Sequence, residues 1–467
     1  MNKRSMILIG IIILIGAFLR FYNMAEVVQF EFDDQYNAYL VYNLVKNGDF
    51  SLVGQETSFG GMFLGPWHYL FLTPFYLLTN LHPIGGYIGE AVIGLLTIFS
   101  YYLVGKKIFS EKVGLLAAFL RAILVNLILQ DWNIGPAYPA ELVAIWFIYF
   151  LVRLYQGSMK SLLALSFLTG MMFTIHLVIL PLVIVLLITL IFKSIRPPLS
   201  IWFKSLVVFI LPVLPILLFE IRHKFIHIQG FLKTLASGGR ESSNLGQRLS
   251  DQLFYNLNYF YRLFDDRFLP SFLGLVIFFL IAFFLWKRLG EFKHSYHRFI
   301  FWTIFLIVTL YYLIYPRHVS QYYFMALRPL TILYVSALIL SVWTVKRGKI
   351  IGLAFITFVV LSNLGRLIGL HTDTHKKSLA YKEAVVKSII ENQRGKGEFS
   401  VSYFMKKGWE FGYQYLFTYY GLNPRSEIKP PIYSIVYPKT QVAEKDLSRS
   451  FGSIGVIFPE DEPEQGK

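Results

Sequence analysis

An all-α polytopic membrane protein is the fold class this sequence predicts, with about eleven transmembrane helices, one re-entrant or juxtamembrane helix and a small C-terminal α/β domain. Three observations carry the prediction. Mean hydropathy is +0.53 and only 15% of the 467 residues are charged, against roughly a quarter in soluble globular chains. Apolar runs close to the ~20 residues that cross a bilayer recur from the amino terminus to Leu370. Lys and Arg gather in short stretches between those runs, which is how a chain sets its orientation in a membrane. The net charge of +16 therefore reports orientation, and nucleic acid is not an expected partner. With no cysteine, disulfides, thiolate metal sites and a cysteine nucleophile are excluded.

The start, MNKRSMILIGIIILIGAFLRFYN, has a basic head and an apolar run but no small-x-small cleavage site, and reads as a retained first helix. The expected spans are Met6–Tyr22, Tyr87–Val104, Val113–Gln130, Pro139–Tyr155, Leu162–Ile175, Leu177–Phe192, Ile201–Phe219, Pro270–Trp286, Phe299–Tyr315, Phe324–Trp343 and Ile350–Leu370. Met62–Leu81 is ambiguous, because Pro66 and Pro74 break it and it carries His68. Topology decides its reading. The basic loops GKKIFSEK, RLYQGSMK, KSIRPP, WKRLGEFKHSYHR and VKRGK should share the cytoplasmic side with Met1–Arg4. A full crossing at Met62–Leu81 would place Lys106, Lys107 and Lys112 outside, so this segment is expected to be re-entrant or to lie on the surface.

On that threading Asn23–Gly86, the turn Asp131–Tyr138, the turn near His176, the loop Glu220–Leu269 and Tyr315–Tyr323 face outward. Polar and ionisable residues concentrate in them. From His371 the hydropathy falls. HTDTHKKSLAYKEAVVKSIIENQRGKG reads as an amphipathic helix, FSVSYF, YSIVYP and GSIGVIF as strands, and GWEFGYQYLFTYYG as a helix between the first two strands. Residues 1–370 are thus expected to form the membrane domain and 371–467 a soluble extracytoplasmic domain, with EDEPEQGK as a disordered tail.

Chemistry-bearing residues follow the outer segments. Asp33 and Asp34 open the amphipathic helix DDQYNAYLVYNLV, where carboxylates suit general acid/base work and equally suit a helix N-terminus. Asp131 and Glu141 come from the second outer turn, and Glu141 enters an apolar span, where an ionisable group is costly. The last outer turn, YPRHVSQYYFMALRP, brings Arg317, His318, Tyr322 and Arg328, and FEIRHKF brings Arg222 and His223. Guanidinium groups bind phosphate in a bidentate fork, and at a membrane edge they also snorkel to lipid headgroups. His68 and His176 sit singly beside aromatics, a setting shared by core histidines and ligand-binding ones. No HExxH, Walker loop or strand-associated GxGxxG is present, so zinc-protease, nucleotide-hydrolysing and dinucleotide functions lack support.

In order and sidedness, FDDQYNAY, FLGPWHYL, GKKIFSEKVGLLAAFL, the acid within WNIGPAYPAEL and the late RHVSQYYFMALRP resemble the GT-C glycosyltransferases. The resemblance is to the branch of protein O-mannosyltransferases and the lipid A aminoarabinose transferase (glycosyltransferase family 39 type), and covers roughly Met1–Leu370. It implies a multi-pass cell-envelope enzyme of a prokaryotic plasma membrane. Such an enzyme moves a hexosyl or pentosyl unit from a polyprenyl-phosphate donor to a lipid, glycan or protein hydroxyl on the extracytoplasmic face, with inversion. It further implies Asp33 or Asp34 as general base, Glu141 or Asp131 as a second acid, and Arg317, Arg328 and Arg222 as phosphate partners. No cofactor is required on this reading, although a divalent ion bridging acids and phosphate is compatible with it. The family's usual Asp-Glu pair is Asp-Asp here, and Tyr36 stands where relatives often carry Arg. A flippase for lipid-linked glycans would instead call for mid-span charges and paired interrupted spans. An O-antigen ligase or polymerase would carry its large outer loop late in the chain.

Overall fold

A computed structural model describes residues 3–57, 61–236, 244–251, 263–264, 296–315, 321–343, 346–373, 377–394 and 397–459. Helix α1 (Lys3–Phe21) leads into a 3₁₀ turn and then α2 (Phe32–Asn47), an irregular loop, α3 (Trp67–Leu78), α4 (Ile84–Ile108), α5 (Glu111–Ile123) and α6 (Val125–Gln130). Next come α7 (Ala140–Tyr155), α8 (Ser161–Ile175), α9 (Pro181–Phe192), α10 (Leu199–Arg222), α11 (Ile226–Ala236) and α12 (Leu245–Asp251). After the undescribed stretch follow α13 (Tyr296–Ile314), a 3₁₀ segment Gln321–Ala326, α14 (Leu327–Val342) and α15 (Gly348–Thr372).

Six described stretches are long and apolar enough to cross a membrane: α1, α4, α10, α13, Tyr322–Val342 and α15. The chain is an integral membrane protein. Among the described residues this is fewer than the eleven expected, for identifiable reasons. The expected span Pro270–Trp286 lies outside the described residues. Val113–Gln130 is two helices and not one, because Leu124 is extended at φ −67° and ψ 113°. The break releases carbonyls at the end of α5, and Arg20 donates to two of them, Ala122 O at 3.1 Å and Arg121 O at 3.4 Å. Asn363 of α15 accepts the Val125 N–H at 2.8 Å and so caps α6. Leu162–Ile175 and Leu177–Phe192 separate at His176, whose extended backbone ends α8. At 16, 15 and 12 residues, α7, α8 and α9 reach about 24, 22 and 18 Å, short of the ~30 Å hydrocarbon layer. The segment read as re-entrant or surface-lying contains a single 12-residue helix, α3, also too short to cross.

Small residues let the helices close up. A Cβ on Gly105 of α4 would lie 2.7 Å from the Gly114 Cα of α5, so the two backbones touch where they cross. The main apolar core gathers residues of α4, α5, α7, α9, α13 and α14.

The C-terminal part holds α16 (Leu379–Gln393), β1 (Ser400–Phe404), α17 (Tyr413–Tyr419), β2 (Ile432–Val436), β3 (Arg449–Phe451) and β4 (Ile454–Ile457). The sheet runs β1-β2-β4-β3, with β1 and β2 parallel and the other pairs antiparallel. The three expected strands and both helices are present, and β3 is an addition. Residues 460–467, the expected tail, lie outside the described set. This part shares one core with segments of the bundle: Val28, Phe30 and Ala38 pack with Tyr69, Tyr87, Ile128, Leu379, Tyr415 and Ile435. Hydrogen bonds fasten the junction. Lys382 Nζ donates to Phe30 O at 2.9 Å and Phe411 O at 2.7 Å, the Gly412 N–H reaches Gln35 Oε1 at 2.7 Å, and Lys377 pairs with Glu31.

Candidate active site

The two adjacent acids of α2 have different fates. Glu31 caps the helix, and Asp34 completes the capping box by accepting the Glu31 N–H on Oδ2 at 2.7 Å. Its Oδ1 accepts the Ile134 N–H of the turn after α6 at 2.8 Å, and the Tyr87 hydroxyl bonds it as well. Asp34 is buried, and burial pushes its carboxyl up to about 7 despite these three donors. Asp33 points elsewhere. It is exposed at the residue level and accepts the Gln55 amide on Oδ1. Loss of water around the carboxylate, helped by Glu31, raises its pKa against the pull of that bond.

Behind α2 the polar chain continues. Asn37 Nδ2 donates to Asp33 O at 2.9 Å and to Gln55 Oε1 at 3.3 Å. Asn37 Oδ1 meets His68 Nδ1 at 3.2 Å, and His68 Nε2 meets Glu90 Oε1 at 2.5 Å. His68 and Glu90 are both buried, and the Gly135 N–H also reaches Glu90.

Deeper lies a knot of charges. Asp131 accepts Arg20 Nε at 2.7 Å and a two-pronged contact from Arg121 at 2.9 and 2.8 Å. Glu141 accepts the Tyr101 hydroxyl at 2.7 Å and Arg121 Nε at 3.2 Å, and lies 3.5 Å from Arg328 Nη1. All five charged side chains are buried. Burial opposes ionisation of the two carboxylates, but they face three guanidiniums, and Arg121 and Arg20 together outweigh burial and hold Asp131 below the usual carboxylate range. Gly94 makes room for the knot, since a Cβ there would sit 2.5 Å from Asp131 Oδ2.

Tyr138 joins the two layers, lying within electrostatic range of Asp33, Asp34, Glu90 and Arg328. Tyr322 is in range of Tyr138 and Asp33, and its ring meets the His176 ring edge-on at 5.7 Å. The fold thus draws Asp33, Asp34, His68, His176, Tyr322, Arg328, Asp131 and Glu141 into one contiguous region. Arg222 and His223 stand apart, lining a depression with Phe50, Ser51, Leu52 and Phe219. Arg317 and His318 lie outside the described residues. Among the described residues no three of His, Asp and Glu gather as a metal-ligand set.

The sequence reading did not single out Arg20, Asn37, Gln55, Glu90, Arg121 or Tyr138. For Glu90 and Arg121 a signal existed, a lone ionisable residue inside an apolar run (IGEAVIGLL and AAFLRAILV). Asn37 and Gln55 carry no such mark.

The structure aligns over 98% of its length with 98% of the crystal structure of ArnT from Cupriavidus metallidurans bound to undecaprenyl phosphate, with a TM-score of 0.58 at 13% identity. The apo form of that protein aligns over 97% of both chains, with a TM-score of 0.57 at 12% identity. At such identities the likeness is one of fold. A family model described as dolichyl-phosphate-mannose-protein mannosyltransferase then matches residues 64–219, about a third of the chain. No curated protein matches by sequence. The GT-C resemblance carried by the motifs is therefore met twice, by the whole fold and by the family model over α3 to α10.

Proposed function

We propose that this protein is an inverting glycosyltransferase that moves a hexosyl or pentosyl unit from a polyprenyl phosphate to an acceptor hydroxyl, at the extracytoplasmic face of a prokaryotic plasma membrane. The observation that carries this reading is the asymmetry of the acid pair. Asp34 spends both oxygens on the Glu31 and Ile134 amides inside the protein, whereas Asp33 opens outward beside Tyr138 and Tyr322. Asp33 is therefore assigned the general base, since geometry precedes pKa in that choice. It takes the hydroxyl proton as the acceptor oxygen bonds to the anomeric carbon. The bond from that carbon to the phosphate oxygen breaks on the opposite face, and its electron pair leaves with the phosphate.

That departing charge calls for cations. The knot supplies one guanidinium in excess of its carboxylates, and Arg328 is the member that shares a neighbour, Tyr138, with Asp33. Arg328 is assigned to the phosphate, joined by Arg317 and His318 from the segment just before Tyr322 in sequence. Asp131 and Glu141 hold the arginines in place and take no proton from the acceptor. Tyr322 and His176 wall the sugar site, and Arg222 and His223 offer positive charge to an anionic acceptor. The fold of a protein crystallised with undecaprenyl phosphate supports the lipid-linked donor.

The test is transfer of a radiolabelled sugar from polyprenyl phosphate by purified protein in lipid. Loss of transfer in Asp33→Asn, with transfer surviving in Asp34→Asn, is the expected result. Undiminished transfer in Asp33→Asn removes the base, and movement of the lipid across vesicles without a new glycosidic bond makes the protein a flippase.

A further inference from the structure

The hydrogen-bond chain behind Asp33 has a direction, and the atoms fix it. Asp33 O is a backbone carbonyl and can only accept, so the group that Asn37 presents to it at 2.9 Å is the NH₂. The Asn37 oxygen consequently faces His68 Nδ1, which must carry the hydrogen. The Asn37 NH₂ also meets Gln55 Oε1, which turns the Gln55 NH₂ toward the Asp33 carboxylate. Every bond from His68 to Asp33 thus donates the same way. At the far end, Glu90 Oε1 meets His68 Nε2, one hydrogen lies between them, and both side chains are buried. His68 sits on α3, Asn37 on α2, Glu90 on α4 and Gln55 in the loop before α3, so four separately placed segments agree on one polarity.

We infer that His68, Asn37 and Gln55 form a positioning chain, anchored by Glu90, that presents a fixed N–H donor to Asp33 and so keeps that carboxylate ionised and aimed at the acceptor. This rests on the assignment of Asp33 as the base. The need for such a donor is visible in the surroundings. Asp33 faces Glu31 and Asp34 from its own segment, Tyr138 from the second outer turn and Tyr322 from the turn before α14, and none of these is a cation. His68 faces Asn37 and Glu90, and Glu90 in turn has Asp131, Tyr76 and Tyr138 within electrostatic range. An amide held with its nitrogen forward stabilises a carboxylate, while the same amide turned around would repel it. A free glutamine in a loop samples both faces, and the contact through Asn37 removes that choice.

The experiment is the pH dependence of kcat/KM for transfer by the full-length protein in lipid. Gln55→Met keeps the side-chain length and removes the donor, and the acidic limb should move up by about one pH unit, the size of one lost charge-assisted hydrogen bond. Gln55→Glu sets a second carboxylate against Asp33 and should move the limb further in the same direction. The double variant His68→Phe with Glu90→Gln breaks the chain at its root without stranding a buried carboxylate, and should move the limb upward by less than Gln55→Met does. A uniform fall in kcat with the limb in place, in both Gln55 variants, would mean that the chain is only packing and overturns the inference. Full activity of Asp33→Asn overturns the base assignment instead, and an inactive Asp33→Asn beside an unmoved Gln55→Met profile overturns the chain alone.

Discussion

Two acid-rich regions sit close together in this protein and handle charge in opposite ways. In the knot between α1, α5, α7 and α14, each carboxylate is matched by guanidinium groups, and every charged member is buried. Around α2, Asp33 and Asp34 are met by backbone amides, a glutamine and tyrosines, with no cation in direct contact among the described residues. A neutralised carboxylate is held in its ionised state and has little to offer a substrate proton. A carboxylate solvated by neutral donors keeps its basicity near neutral pH. The difference separates architecture from chemistry more sharply than residue type does, since both regions are built from aspartate and its neighbours.

The comparison can be broken most forcefully at the knot. Arg121→Met leaves Asp131 with Arg20 alone and strips a partner from Glu141, and should cost about 3–5 kcal/mol of stability. Thermal unfolding in detergent measures it, and a loss below 1 kcal/mol would place the knot with surface ion pairs. On the other side, Asp33→Asn should lower kcat by about 10²–10⁴-fold while the unfolding midpoint stays where it is. Lys382→Ala tests the cover over α2. It orphans the Phe30 and Phe411 carbonyls and should cost about 1–3 kcal/mol, read as faster amide exchange in α16 and the start of α2.

The gentlest probe is pH. Asp34 titrates at 3.8 when free and at about 7 in the folded protein. Between those values the folded state binds more protons than the unfolded one, so stability falls as pH rises through this window and the penalty is complete above it. The slope from this group is at most about 1.4 kcal/mol per pH unit. It should be missing from Asp34→Asn when midpoints are compared from pH 4 to 8, and an identical slope in both proteins would assign it to another group.

Much of this was readable beforehand, and the boundary has a physical origin. The membrane class, the acid-bearing helix and the α/β character of the last hundred residues follow from local composition and period. So does the helix start at Pro66, whereas α3 runs on through Pro74, where a break was expected. The broken helix at Leu124 was not legible, since the groups that take its freed carbonyl and N–H, Arg20 and Asn363, lie 102 and 238 positions away in sequence. Asp131 and Glu141 looked like the other acids for the same reason: their partners, Arg20, Arg121 and Arg328, come from three different helices. Which of Asp33 and Asp34 faces outward likewise depends on Ile134 and Gln55, which a helical wheel does not contain.

The fastening of Lys382 to Phe30, across 352 residues of sequence, has a consequence for timing. A chain made from its amino terminus produces α2 long before α16 and α17 exist. Until they arrive, Phe30 and its apolar neighbours lack their roof and Glu31 lacks Lys377. The packing around the acid-bearing helix is thus completed only at the last stage of synthesis, when the C-terminal part supplies Lys377 and Lys382.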